Sequence, residues 1–314
     1  MRNEVVTVFG GTGFIGRHLV QRLASRGATL RVATRDPDRA GFLRPMGDVG
    51  QIAILPYGED EASLRKLVGG AGAVVNLLGI LFERRPGDFM HVHCDMAERI
   101  AKAAAATAVR RFVHMSAIGA DSDGEALYAQ SKGEGEKRVR AAFPAASIVR
   151  PSIVFGPGAG FFSLFAQMSV LSPFLPLIDG GKTRFQPVYV GDVVEAMTRC
   201  LETDAHQGQL FELGGPRVAS FKELLRYILK TVNRRRLLLP LPMSVAEFQA
   251  RFFEKLPNPP LTRDQLKMLA TDNVVSGEAA TLQSLGIEPT PFEVVVPDCL
   301  RPFSRPLRTA KPLA

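Results

Sequence analysis

Short apolar runs alternate with amphipathic segments through the first half of the chain. Val5-Val6-Thr7-Val8-Phe9 is a β-branched run leading into Gly10-Gly11-Thr12-Gly13, and Phe14-Ile15-Gly16 then opens a segment with Leu19 and Leu23 at helical spacing. Further continuous apolar runs lie at residues 30–34, 52–55, 73–78, 111–115 and 147–149. Runs without polar alternation predict strands covered on both faces. Helical patterns at 95–106 and 130–142 fall between them. Strand-helix alternation of this kind predicts an α/β fold: a doubly wound, Rossmann-type parallel sheet.

The pattern changes after Pro151. Glycine and proline become frequent (Gly156-Pro157-Gly158-Ala159-Gly160, Pro173, Pro176, Gly180-Gly181), and regular alternation stops. Ser220 with Glu223, Ser244 with Glu247 and Thr262 with Gln265 have the spacing of helix capping boxes. These features predict a nucleotide-binding domain over 1–155, with sheet contributions continuing to about 215. A smaller, mainly helical lobe is expected over 156–300, and an extended basic tail over 301–314. In 243–256, Val245, Phe248, Phe252, Phe253 and Leu256 fall near one helical face, with Arg251 and Lys255 alongside. A core-facing helix is the expectation, and an interfacial or docking face is the alternative.

Composition narrows the function classes. Of 314 residues, 46% are hydrophobic and 22% charged, as in an ordinary globular chain with ample core. No apolar run reaches the roughly 18 residues of a membrane span. No leader pattern precedes the first strand, so a cytoplasmic location is expected. Cys94, Cys200 and Cys299 are far apart and read as buried thiols, with no disulfide framework and no metal site. His91, His93 and His114 lack metal-ligand spacing. The net charge of +8 includes local groups at Arg234-Arg235-Arg236 and at Arg301, Arg305, Arg308 and Lys311. Basic residues do not interleave with aromatics in repeats, which argues against nucleic acid. An acidic partner or anionic membrane surface fits this charge, and so does a solvated basic face.

The glycine turn carries the first chemistry. Gly10 permits a tight turn, Gly13 allows close backbone approach to a pyrophosphate, and Gly16 lets the helix pack against the sheet. The helix N-terminus then presents N–H groups to phosphate. The second strand ends at Thr34-Arg35-Asp36. A guanidinium there suits a 2′-phosphate, so NADP(H) is preferred. Asp36 turned inward would instead accept NAD(H), and Arg35 could simply pair with Asp36 or Asp38. Asp60 either approaches the adenine or caps the following helix. Asp192 either begins a helix or holds a loop over the cofactor.

Tyr128 and Lys132 stand at i and i+4, on one helical face. A neighbouring ammonium lowers a phenol's pKa, which would ready Tyr128 for proton exchange with a carbonyl or alcohol. Lys132 would also hold the nicotinamide ribose.

At these residues the chain resembles the short-chain dehydrogenase/reductase superfamily in its extended or atypical form. The resemblance rests on Gly10, Gly13, Gly16, Asn76-Leu77-Leu78-Gly79, Tyr128, Lys132, residues 149–156 and residues 186–193. It implies a cofactor site formed by Gly10, Thr12, Gly13, Phe14, Ile15, Gly16, Arg35, Asp60, Leu77, Leu78, Gly79, Met115, Lys132, Pro151, Ile153 and Val154. The catalytic set would be Tyr128, Lys132 and a serine. In the run His114-Met115-Ser116-Ala117, Ala117 takes the usual serine position and Ser116 is displaced by one. A missing donor to the developing oxyanion puts turnover in doubt.

A narrower resemblance runs from the first strand to near the C-terminus. Leu43-Arg44-Pro45-Met46-Gly47-Asp48, Gly133-Glu134-Gly135-Glu136-Lys137 and Leu239-Pro240-Leu241-Pro242 are similar to segments of the dinucleotide-binding accessory subunit family of respiratory complex I. Leu261-Thr262-Arg263-Asp264 matches that family too. The resemblance implies an NADPH-holding protein of the peripheral arm or its assembly intermediates, near the membrane and with little turnover. A chain without a targeting segment would be a bacterial counterpart, peripheral on the cytoplasmic face of the inner membrane. An active reductase, epimerase or dehydratase on a quinone-related or isoprenoid substrate is the alternative, and an NADPH-binding redox sensor is a third.

Overall fold

The structure, a computed structural model, describes residues 1–254, 256–257, 259 and 261–305. Lys255, Arg308 and Lys311, singled out above, lie outside the described residues. Six strands come in chain order from the predicted runs: β1 (Val5–Phe9), β2 (Thr29–Thr34), β3 (Ile52–Pro56), β4 (Ala73–Asn76), β5 (Arg111–Met115) and β6 (Ser147–Pro151). Later strands include β7 (Phe174–Ile178), β8 (Leu210–Leu213) and β9 (Leu237–Leu241). The main sheet has seven strands in the order β8-β6-β5-β4-β1-β2-β3, all parallel. Strand order reverses between β1 and β4, which leaves a crevice at their carboxyl ends.

Alternate strand residues face two different helical layers. On one side Val6, Val8, Val32, Val75 and Val113 pack with Leu19 and Leu23 of α1 (Phe14–Ser25). Val193 and Met197 of a helix at Val190–Glu202 join them. On the other side Phe9, Val74, Phe112 and Ile148 pack against α2 (Glu61–Val68), α3 (Met96–Ala106) and α4 (Leu127–Ala142). Each side chain of this kind, fully buried, contributes roughly 1.5–3 kcal/mol.

The second lobe holds α5 (Phe161–Leu171), with α6 (Val190–Glu202) returning to pack on the sheet, and then α7 (Phe221–Thr231), α8 (Met243–Phe253), α9 (Arg263–Leu269) and α10 (Phe292–Leu300). Its core is phenylalanine-rich: Phe155, Phe162, Phe185, Phe221 and Phe292 are all buried. β7 and β9 pair in parallel beside it.

Several boundaries differ from the pattern, each for a local reason. β4 stops at Asn76, because the Asn76 side chain accepts a hydrogen bond from the Leu78 N–H at 3.1 Å and turns the chain out of the ladder. α3 is preceded by a turn at Asp88–Met90 and a π-helical turn at His91–Asp95. The capping boxes at Ser220 and Thr262 form, but Ser244 lies inside the first turn of α8, whose N-cap is Pro242. α8 is not core-facing as expected. Only Ala246 and Ala250 are buried, whereas Val245, Phe248 and Phe252 are 42%, 62% and 56% exposed. The two alanines are small enough for the helix to lie against Leu266 of α9, with Met243 packed beside them, and Val245, Phe248 and Phe252 stay largely exposed.

Candidate functional site

The glycine turn after β1 fills one end of the crevice. Gly10 has φ +78°, and a Cβ on it would stand 2.9 Å from the Leu77 carbonyl carbon. A Cβ on Gly16 would fall on the Gly10 oxygen, so α1 can approach the turn only with glycine there. The outer face of Gly13 is open, a Cβ there meeting only the Gly10 oxygen at 3.4 Å. Gly13 is the N-cap of α1; it contributes no side-chain cap, and no acidic side chain occupies the first turn. The N–H groups of this end, which carries Phe14 and Ile15 after Thr12 and Gly13, suit an anion.

Beyond β2, Arg35 is exposed and enters no ion pair among the described residues. Asp36 is engaged elsewhere: it accepts the Arg39 N–H at 3.2 Å and lies 3.9 Å from the Arg39 guanidinium. The pairing of Arg35 with Asp36 considered above therefore does not form. Asp60 caps α2, accepting the Ser63 N–H at 2.9 Å.

The other end gathers Gly79, Met115, Tyr128 and Lys132. The Lys132 ammonium donates to the Met115 carbonyl at 3.3 Å and lies 6.0 Å from the Tyr128 ring centre. It also stands 3.4 Å from where a Gly79 Cβ would be. Lys132 is only 4% exposed, and burial brings its pKa down to about 8, against the upward pull of Glu136. The expected acidification of Tyr128 is not found. Burial pushes its phenol up to about 12, outweighing any help from the nearby ammonium. Phe89 and His93 pack edge-on against the Tyr128 ring.

His93 is held neutral, with burial and the Lys132 charge taking its pKa down to about 2. Its Nε2 accepts the Ile80 N–H at 3.1 Å, so Nδ1 carries the proton and donates to Ser131 Oγ at 2.8 Å. His114, buried beside Asn76, is brought to about 3. Among the described residues no three His, Cys, Asp or Glu side chains form a metal-binding group.

Ser116 is 3% exposed, and its hydroxyl has no hydrogen-bond partner among the described residues. Its N–H is committed to the Val149 carbonyl at 2.7 Å. Such an orphaned hydroxyl inside the crevice is uncommon. Pro151 ends β6, and Ser152 Oγ donates to Asn273 Oδ1 at 2.6 Å. The same oxygen accepts the Ile153 N–H at 3.2 Å, which fixes the segment leading to Val154. Leu77 stays on the β1 side of the crevice, its N–H donating to Phe9, while Leu78 is held by Asn76. Asp192 sits in the first turn of α6 and also ties down a loop, accepting Thr290 N–H at 2.7 Å and its hydroxyl at 2.9 Å.

Two functional neighbours escaped sequence reasoning. Asn273 binds Ser152 and Ile153 from 120 or more positions away, and Asp264 accepts the N–H groups of Leu127 and Tyr128 at 2.6 and 3.0 Å. The run Leu261–Asp264 is distinctive in the sequence, but nothing local indicates what it touches.

The parts suit a nicotinamide dinucleotide. A helix end without a side-chain cap faces the turn, a guanidinium with no ion pair among the described residues follows β2, and a buried ammonium and a hydroxyl likewise without a described partner stand at the far end. Fold and site together define a dinucleotide-binding protein of the extended short-chain dehydrogenase type. Residues 6–214 match the model of the NAD dependent epimerase/dehydratase family, and the chain belongs to that family. It is 35% identical over 301 residues to rat NADH dehydrogenase (ubiquinone) 1 alpha subcomplex subunit 9, mitochondrial, covering 95% of this chain and 80% of the relative. The Neurospora crassa NADH-ubiquinone oxidoreductase 40 kDa subunit, mitochondrial, is 32% identical over 289 residues, covering 91% and 76%. Among solved structures, Streptomyces venezuelae DesIV, a dTDP-glucose 4,6-dehydratase with NAD bound, superposes with a TM-score of 0.73 at 18% identity, covering 95% and 96%. That likeness concerns the fold.

Proposed function

We propose that the chain holds NADP(H) as an accessory subunit of respiratory complex I, with a stabilising or assembly role and little or no turnover. The observation that carries this reading is similarity over 95% of the chain to a subunit of the NADH dehydrogenase (ubiquinone) assembly. When bound, the nicotinamide would supply hydride chemistry. Gly10, Thr12, Gly13, Phe14, Ile15 and Gly16 receive the pyrophosphate on backbone N–H groups. Arg35 reads the 2′-phosphate through charge-assisted hydrogen bonds. Lys132 donates to the nicotinamide ribose, and Ser116 offers its unused hydroxyl. Leu77, Leu78, Gly79, Met115, Pro151, Ile153 and Val154 wall the ring.

Three features hold turnover down. Ala117 brings no hydroxyl to the position of the superfamily serine, and losing such a donor costs about 3 kcal/mol in a transition state. Ser116 is one residue off that position. Tyr128, its pKa pushed up to about 12 by burial, is a weaker proton donor to a carbonyl oxygen than an ordinary phenol and is not a base toward an alcohol at neutral pH.

The same reading puts the chain at the membrane edge of the peripheral arm, on the cytoplasmic face. The exposed apolar side chains of α8, with Arg251 on the same helix, suit an anionic lipid surface. No described helix is long and apolar enough to cross a membrane. Native electrophoresis of gently solubilised membranes tests the placement. The chain is expected to migrate with complex I or its intermediates, and migration as a free protein contradicts this.

The juxtaposition of Tyr128 and Lys132 favours one second reading, an active NADP-dependent reductase, epimerase or dehydratase. Tyr128→Phe decides its mechanism. Under this reading the variant loses nearly all turnover while keeping the nucleotide, and activity that survives excludes the phenol as proton donor.

A further inference from the structure

The helix carrying Tyr128 and Lys132 begins without a cap of its own. Its N-cap is Ala126, which offers no side-chain oxygen. The missing acceptor comes from the other lobe, 136 positions along the chain. One Asp264 carboxylate oxygen accepts the Leu127 N–H at 2.6 Å and the other accepts the Tyr128 N–H at 3.0 Å. A carboxylate at this end also meets the positive pole of the helix. Its neighbours strengthen the attachment. Gln265 donates to the Leu81 carbonyl at 3.3 Å and Lys267 to the Glu125 carbonyl at 3.2 Å. Farther along, Asn273 holds Ser152 and Ile153 and reaches the Ile118 carbonyl at 3.4 Å. One strap, 262–273, thus touches the segments before α4, after β4, after β5 and after β6.

Every one of these contacts falls on a segment that follows β4, β5 or β6 or leads into α4, on the side of the crevice that carries Tyr128 and Lys132. None reaches the Gly10–Gly16 turn or Arg35. The strap is rooted in the second lobe, where Arg263 pairs with Glu254 at 3.0 Å and Leu266 packs against Ala246 and Ala250 of α8.

We infer that Asp264 is a positioning residue of the dinucleotide site: by capping α4 from the second lobe it fixes Tyr128 and Lys132 and so organises the nicotinamide half alone. The inference rests on the proposed NADP(H) site and deepens it. It also explains the Leu261–Asp264 run physically, since Thr262 caps α9 while Asp264, two residues on, caps α4.

The test is calorimetric titration of the full chain with NADPH and with 2′,5′-ADP, which lacks the nicotinamide half. Asp264→Ala is expected to weaken NADPH about fivefold or more, the equivalent of a lost helix cap, and to leave 2′,5′-ADP unchanged. Asp264→Asn, with one acceptor oxygen left, falls between, and it serves alone where the alanine variant does not fold. A parallel loss for both ligands would reveal general destabilisation and overturn the inference, as would no loss for either. If the wild type prefers NADH, the pair NADH and ADP-ribose gives the same split. A wild type that binds neither dinucleotide overturns the proposed function itself, and the inference with it.

Discussion

In the proposed site, Lys132 sets stability against binding. Its ammonium is buried with one backbone acceptor, and its pKa is lowered from 10.5 to about 8 by that burial. Below pH 8 both the folded and unfolded chains carry the proton, and the folded state bears the full penalty, roughly 3 kcal/mol for a shift of this size. Between pH 8 and 10.5 the unfolded chain binds more protons, so stability rises with pH across that window. Lys132→Met is therefore expected to raise the melting temperature of the ligand-free protein by several degrees at pH 7 and to weaken NADPH binding. A variant less stable than wild type would show that the ammonium is a structural asset. Arg35 makes the contrasting case, since it enters no ion pair among the described residues and its removal should leave stability unchanged. Arg35→Ala is expected to weaken NADPH about tenfold to a hundredfold, as for a lost charged hydrogen bond, with NADH unaffected. Equal losses for both nucleotides would remove Arg35 from the 2′-phosphate.

At the scale of elements, α8 shows why a helical stripe cannot by itself tell core from interface. Val245, Phe248 and Phe252 share a face, but the buried positions are Ala246 and Ala250. Close packing on α9 selects the small residues and leaves the large ones outside. Phe248→Glu is expected to abolish recovery of the chain in the membrane fraction with its melting temperature unchanged. A drop of more than a few degrees would mean that the ring is part of the fold. The start of α4 teaches the same lesson. Local pattern places it at residue 130, and it begins at Leu127 because Asp264 supplies its cap through space. By contrast the six strands before Pro151 are legible in the sequence to within a few residues, since burial on both sheet faces leaves an uninterrupted apolar signature.

For the whole molecule, the order of elements sets the topology. The strands stay parallel while their order reverses between β1 and β4, and the crevice opens where the glycine turn stands. The strand β8 lies hidden in the irregular half, because it joins the sheet beside β6 only after α5 and α6 have intervened. The glycine turn, Tyr128 and Lys132 can be read from spacing alone. The state of Tyr128 cannot, because burial, which pushes its pKa up, is a property of the packed site. Nor can the orphaned Ser116 hydroxyl, a product of packing, or the Asn273 attachment, which exists only once distant parts of the chain meet.

Whether the dinucleotide is held without turnover is decided by releasing the bound nucleotide from gently purified protein. Mass and absorbance would identify it before and after incubation with quinones and simple carbonyls. Stoichiometric NADPH that exchanges slowly and stays reduced is the expected result. Rapid exchange, or oxidation by one of those acceptors, would contradict it and establish an enzyme, and bound NAD(H) would remove Arg35 from the role given to it here.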